Sequence, residues 1–167
     1  MDKIRIGLLG CGSWGPRYAS ALIGNPIAEL TTAVDIDIEK ARRITRIVPH
    51  AKVLSDPEKL FNSADIDGIL IVTPTPTHLE LAKAALKAGK HVLVEKPLAL
   101  NLAEANQIVQ ISEITGRLLM VGQILRFMPT FIELRSRVMA GDIGTVLHSA
   151  ASSRNQKILT GILTSVA

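Results

Sequence analysis

Apolar residues occur along this chain in two recurring patterns. The first is the short, mostly apolar run: KIRIGLL (3–9), LTTAVDI (30–36), GILIV (68–72), HVLV (91–94) and RLLMV (117–121). A strand buried on one face alternates apolar and polar positions, whereas a near-continuous run predicts a strand covered on both faces. The second pattern has helical spacing and boundary signals. Asp56 followed by Pro57 predicts an N-cap with proline in the first helical position. Thr77 with Glu80, and Asn101 with Glu104, have the spacing of capping boxes. Gly89 stands where the helix carrying Leu79, Ala82, Ala85 and Leu86 should end. Strands and helices alternating in this way predict an α/β fold, a doubly wound parallel sheet, over residues 1–122.

After Gly122 the rhythm changes. Pro129 interrupts QILRFMPTF, a helix is predicted over 130–140, and it ends near GDIG. TVLHSAASS (145–153) reads as one more strand. The final RNQKILTGILTSVA (154–167) is open between two readings. Ile158, Leu159, Ile162, Leu163 and Val166 would share one helical face, while Thr160 and Gly161 would make a turn between two short strands. Residues 123–167 are therefore expected to be a crossover helix and the start of a second domain. A strand at 145–153 with no sheet to join invites pairing with another chain, so a homo-oligomer built through the C-terminal segment is expected.

Composition narrows the class. The 167 residues suffice for one domain with a real core. With 47% apolar and 20% charged residues the balance is globular, and with 3% aromatics the core must be aliphatic. The net charge is +4, but Lys and Arg are scattered, without the clustering or aromatic interleaving of a nucleic-acid surface. Cys11 is the only cysteine, which excludes an intrachain disulfide and a cysteine metal cluster. MDKIRIGLLG has no signal-peptide h-region, and no apolar run approaches the ~18 residues of a membrane span. A soluble, cytoplasmic protein without metal, membrane or nucleic acid is expected.

GLLGCGSWG carries the first chemistry. Gly10, Gly12 and Gly15 form a G-x-G-x-x-G pattern, with Cys11, Ser13 and Trp14 between them, after a predicted strand and before a helix. That context fits a loop that brings backbone N–H groups and a helix start to a pyrophosphate. Asp35, at the end of the second strand, can accept hydrogen bonds from ribose hydroxyls and would repel a 2′-phosphate. Ile36 follows it rather than a phosphate-clamping arginine, so NAD is expected over NADP, and Arg42 and Arg43 read as a solvated helix face. The competing reading is a ligand-free tight turn with an aspartate capping the next helix.

Two further loops lie at strand ends. Thr73, Pro74 and Thr75 would pack against a cofactor, or simply form a proline-rich turn. His78, in the first turn of the next helix, reads as a surface or capping residue, with a role at the site as the alternative. Glu95, Lys96 and Pro97 follow the fourth run on the same rim. Lys96 could exchange a proton with a substrate hydroxyl. It could equally mark the end of a strand, and spacing leaves both readings standing.

IGLLGCGSWGPRYASAL, AVDID, VTPTPTHLELAKAALKAGKHVLVEKPLAL and RFMPTF together resemble the Gfo/Idh/MocA family of sugar and polyol dehydrogenases, over about residues 3–150. The resemblance implies a Rossmann domain and hydride exchange between NAD or NADP and a sugar-like alcohol carbon. It implies a role for Lys96 in catalysis and in binding substrate, cofactor contacts from the glycine loop, Asp35, Thr73, Pro74, His78, Glu95, Lys96 and Pro97, and substrate contacts from Gln123 and Arg126. The family's second domain supplies an aspartate and a histidine on a helix facing the nicotinamide. GILTSVA (161–167) resembles the segment leading to that helix, with Ser165 at the aspartate's position. The resemblance therefore implies a second domain largely missing from a truncated chain that binds NAD with little turnover on its own.

Overall fold

A computed structural model describes residues 2–150. The readings of 151–167, including Ser165, lie outside the described residues. The chain divides into two compact units after Gln123.

The first unit is a six-stranded sheet flanked by helices. Its elements in chain order are β1 (Ile4–Leu9), α1 (Gly15–Ala21), β2 (Ala28–Val34), α2 (Ile38–Ile44), β3 (Lys52–Leu54), α3 (Pro57–Phe61), β4 (Gly68–Ile71), α4 (His78–Lys87), β5 (His91–Val94), α5 (Leu102–Thr115) and β6 (Leu119–Val121). A 3₁₀ turn, Thr75–Thr77, leads into α4. The strand order is β3-β2-β1-β4-β5-β6, and every pairing is parallel. This is the doubly wound order, with its direction reversing between β1 and β4.

The continuous apolar runs follow from this arrangement, because neighbouring strand residues point to opposite, equally covered faces. Leu9, Val34, Ile69, Ile71 and Val94 pack with Leu60, Leu86 and Ile108 on one face. Leu8, Leu30 and Ala33 pack with Ala19, Ala41 and Ile44 on the other. Phe61 is the sole aromatic among these buried cores, so aliphatic side chains carry the packing.

The strand β3 was absent from the sequence reading. Its three residues, with Lys52 exposed, are too few to show a period, and it pairs only with β2 at the sheet edge. Asp56 and Asn101 cap α3 and α5 as expected, accepting from the N–H groups of Glu58 (2.9 Å) and Glu104 (2.9 Å). Gly89 follows α4 with φ +78°, the left-handed exit a glycine permits. The expected capping box at Thr77 does not form. Thr77 has helical dihedrals, and its Oγ1 donates back to the Pro74 carbonyl (2.7 Å) within the 3₁₀ turn.

In the second unit a short 3₁₀ turn (Ile124–Phe127) precedes α6 (Pro129–Ala140), which ends at Gly141 with φ +83°. The strand expected at 145–153 is not found over residues 145–150, which have no strand pairing. Val146 and Leu147 are exposed, so the apolar residues that suggested a strand have no sheet beneath them among the described residues.

At the amino ends of the strands, Arg5 clamps the loop that enters β4. Its Nε (3.0 Å) and backbone N–H (2.8 Å) donate to Asp67 Oδ2, and its Nη2 donates to Asp67 Oδ1 (2.8 Å) and to the Ala64 carbonyl (3.1 Å). Hydrogen bonds from the Arg5 side chain, then its backbone, hold the Asp67 carboxyl down at about 2. The usual value is near 4. The pair's contribution is therefore present above about pH 4 and is lost as pH falls towards 2. Both side chains are more than a third exposed, at 38% and 39%, so solvent and salt screen the pair. Replacing Arg5 by Leu is expected to flatten the acid limb of the unfolding temperature against pH. Equal acid limbs in wild type and variant would remove the pair from the stability of the domain.

Candidate functional site

The strands' carboxyl ends form a rim, and a cavity of about 570 Å³ opens on it. Gly10, Gly12, Ser13 and Trp14 line it after β1, Asp35 and Ile36 after β2, and Thr73, Pro74 and Thr77 after β4. Lys40, Pro57 and Leu81 complete the wall. The cavity spans the place where strand order reverses, the crevice that doubly wound folds use for ligands, and its volume lies in the range of ligand sites.

The glycines have different jobs. Gly10 has φ +98°, and an added Cβ would stand 2.7 Å from the Val72 carbonyl. Only a residue without Cβ lets the β1 and β4 exits approach so closely. A Cβ on Gly15 would meet the Gly10 carbonyl at 2.9 Å, so α1 can sit against the loop only with glycine there. A Cβ on Gly12 would meet nothing within 4 Å, and Gly12 lines the cavity. Among the described residues no hydrogen bond uses the N–H of Gly12, Ser13 or Trp14. An open wall with unclaimed N–H groups fits the phosphates of a dinucleotide.

Asp35 lines the cavity but is only 8% exposed. Its Oδ2 accepts from the Cys11 N–H (2.8 Å) and its Oδ1 from the Asp37 N–H (2.9 Å). Each carboxylate oxygen keeps a second lone pair, so the side chain can hold the glycine loop and still accept from ribose hydroxyls. Cys11 contributes its backbone rather than its thiol. Its Sγ donates to the Val34 carbonyl (3.5 Å), and burial, followed by the charge of Asp35, pushes the thiol up to about 12. Trp14 is 38% exposed, with the Arg17 guanidinium 4.3 Å from its ring centroid.

His78 does not lie on the surface. It is 1% exposed, with Nε2 2.9 Å from the Thr73 carbonyl and Nδ1 2.9 Å from the Pro97 carbonyl. It does not line the cavity; it ties the loop that does to the loop carrying Lys96. Thr75, in the 3₁₀ turn, does not line the cavity either.

Glu95, Lys96 and Pro97 stand one strand further along the rim, since β5 pairs with β4 through Val94 and Ile71. Glu95 is buried, accepting from the Tyr18 hydroxyl (2.7 Å) and the Lys96 N–H (2.8 Å). The Lys96–Pro97 bond is cis. The Lys96 side chain is exposed, and among the described residues no hydrogen bond or ion pair engages its ammonium. Gln123 ends the first unit, exposed, with its N–H donating to the Val121 carbonyl (2.7 Å). Arg126 is exposed in the second unit. Among the described residues no three His, Cys, Asp or Glu side chains gather as metal ligands, and no helix is long and apolar enough to cross a membrane.

Sequence reasoning passed over Tyr18, Lys40, Pro57 and Leu81. Lys40 and Leu81 carry no local signal, and Pro57 reads only as the first residue of a helix. Tyr18 had one, as the only tyrosine in the chain and three residues past Gly15.

A model of the GFO_IDH_MocA oxidoreductase family, NAD-binding Rossmann fold, matches residues 4–123. An uncharacterised oxidoreductase of Escherichia coli (strain K12), YdgJ, is 38% identical over 148 residues, covering 88% of this chain and 42% of that protein. The scyllo-inositol 2-dehydrogenase (NAD(+)) of Bacillus subtilis (strain 168) is 32% identical, covering 92% of this chain and 45% of its own. Among solved structures, scyllo-inositol dehydrogenase from Lactobacillus casei with bound NAD(H) and scyllo-inositol superposes with TM-score 0.80 at 28% identity, over 86% of this chain and 43% of that one. A 3-ketoreductase from Actinomadura kijaniata, in complex with TDP-benzene and NADP, superposes with TM-score 0.78 at 28% identity, over 86% and 45%. The chain thus spans less than half the length of these relatives.

The two loop glycines should separate under substitution. Gly10→Ala forces a Cβ into backbone at a positive φ. It should cost on the order of 1–3 kcal/mol of stability. Gly12→Ala meets open space, and its unfolding temperature should match the wild type. Melting curves followed by circular dichroism check this. Equal losses in both variants would contradict the assignment of the two positions.

Proposed function

The chain belongs to the Gfo/Idh/MocA oxidoreductases, whose NAD-binding Rossmann domain it contains, and from that premise we propose that it serves NAD-dependent hydride exchange at an alcohol carbon of a sugar-like polyol. The observation that carries the reading is one rim holding both a dinucleotide-sized cavity and, one strand away, the exposed Lys96. The nicotinamide, when bound, supplies the hydride acceptor. The chain's residues do the rest. The N–H groups of Gly12 and Ser13 meet the phosphates, Asp35 accepts from the ribose, and Thr73 and Pro74 form the wall towards Lys96. Lys96 takes the proton from the substrate hydroxyl and returns it in the reverse direction. Gln123 and Arg126 are proposed as substrate contacts.

NAD is favoured over NADP. Asp35 puts negative charge where a 2′-phosphate would sit, and Ile36, 90% exposed beside it, offers no counter-charge. Inositols are the favoured substrate class, because several relatives are inositol dehydrogenases. We also propose self-association through the C-terminal segment. The support is an apolar surface on α6, where Phe131, Ile132, Leu134 and Met139 are exposed.

Trp14 is the only tryptophan and lines the cavity, so its fluorescence reports occupancy. NADH should quench it saturably, and NADPH should bind about tenfold more weakly or worse. No response at millimolar NADH would overturn the reading. With NAD and a panel of inositols and hexoses, Lys96→Met should lower the rate by roughly 10²- to 10⁴-fold while NADH quenching persists. Equal rates would remove Lys96 from the reaction. Light scattering should show a dimer or larger, and Phe131→Glu with Leu134→Glu should shift it to monomer.

A further inference from the structure

The loop carrying Lys96 is held on one side by His78 and on the other by its own Glu95, which Tyr18 engages in turn. On one side His78 holds the Pro97 carbonyl (2.9 Å). On the other, Glu95 Oε2 accepts from the Lys96 N–H (2.8 Å), and Glu95 Oε1 accepts from the Tyr18 hydroxyl (2.7 Å). Tyr18 belongs to α1, the helix that leaves the glycine loop. The close fit extends to β6. Gly122 donates its N–H to the Val94 carbonyl (2.8 Å), and a Cβ there would stand 3.1 Å from the Tyr18 hydroxyl.

We infer that Tyr18 is a positioning residue for Lys96, acting through Glu95 and fixing the lysine's loop to the helix of the dinucleotide loop. The inference rests on the proposed role of Lys96. Glu95 is 8% exposed, and among the described residues its Oε1 has no other partner. Without the hydroxyl that buried carboxylate oxygen is left unsatisfied, which favours rotation of the side chain towards water. Rotation releases the Lys96 N–H, and the lysine loses the orientation that proton exchange requires. Tyr18 itself lines no part of the cavity, so its influence on the lysine is separable from dinucleotide binding.

The test uses the whole chain with Tyr18→Phe and Glu95→Gln. The phenylalanine keeps the ring and removes only the hydroxyl. The glutamine keeps the shape but can serve only one of the two donors. The Lys96 amide resonance, read by proton–nitrogen NMR, should move upfield in both variants. NADH affinity, read from Trp14 quenching, should change less than about threefold in Tyr18→Phe. Tyr18 is the only tyrosine, so tyrosinate absorbance titrates it alone. Burial first, then the bond to Glu95, raises its ionisation above the usual value. In Glu95→Gln the midpoint should fall while staying above that value. With NAD and inositols, Tyr18→Phe should lower kcat at unchanged KM for NAD. An unmoved Lys96 amide in Tyr18→Phe would overturn the proposal, and so would loss of NADH affinity in step with it, which would make Tyr18 a support of the cavity instead. Absent quenching in the wild type would sink the dinucleotide reading itself, and it is read in a separate measurement from the amide shift.

Discussion

The structure turns on how backbone polar groups are satisfied where a buried parallel sheet stops. Inside the sheet the ladder pairs each N–H and C=O, but at the strands' carboxyl ends the chain leaves that ladder. Three buried side chains take over there. Asp35 receives the N–H groups of Cys11 and Asp37, Glu95 receives that of Lys96, and the His78 ring nitrogens lie 2.9 Å from the carbonyls of Thr73 and Pro97. Among the described residues no buried side-chain nitrogen or oxygen lacks a partner. Buried carboxylates are costly unless bonded in this way. Their presence at the rim marks loops whose shape is fixed more tightly than turns normally require.

The opposite rim meets the same demand with cations. Lys90 is buried, and its Nζ donates to the carbonyls of Ser63 (2.6 Å) and Ile66 (2.8 Å), while Arg5 grips Asp67 and Ala64. These contacts all fasten the turn entering β4. That turn lies at the other end of the strands from the cavity, so Arg5, Lys90 and Asp67 fasten one rim, while Asp35, Glu95 and His78 shape the rim on which the cavity opens. The +4 net charge of the chain says nothing of this partition.

What the sequence made legible was whatever is encoded locally. The glycine loop, the apolar runs of β1, β2, β4 and β5, and the caps at Asp56 and Asn101 each depend on neighbours within a few residues. The family resemblance pointed to Lys96, whose role stands as a proposal. The hidden features depend on partners far along the chain. His78 looked like a surface residue because its second carbonyl lies 19 residues away. Tyr18 escaped notice because Glu95 is 77 residues away. The edge strand β3 was too short to show a period. The strand reading of residues 145–150 failed for the complementary reason: an apolar run is only half of a strand, and the partner that would define it is absent from the described residues.

Asp35 shows why sequence motifs of this kind resist piecemeal change. The carboxylate proposed to meet the ribose also accepts from the Cys11 N–H at 2.8 Å, in the middle of the glycine loop. Under that proposal cofactor choice and loop shape share one side chain. Deleting the side-chain oxygens to admit a 2′-phosphate would also orphan a buried N–H, at a cost of about 1–3 kcal/mol. That loss falls on the glycine loop, the segment proposed to receive the phosphates. A change of cofactor in this fold thus needs a second donor-satisfying group beside the new residue. Ile36, exposed beside Asp35 and lining the cavity with Lys40, is a position where a further counter-charge could enter. The Cys11 N–H would still need an acceptor at position 35. A neutral side chain that keeps an oxygen there removes the charge and can still accept from Cys11, whereas one that simply deletes the acid removes the charge but leaves that N–H without its acceptor.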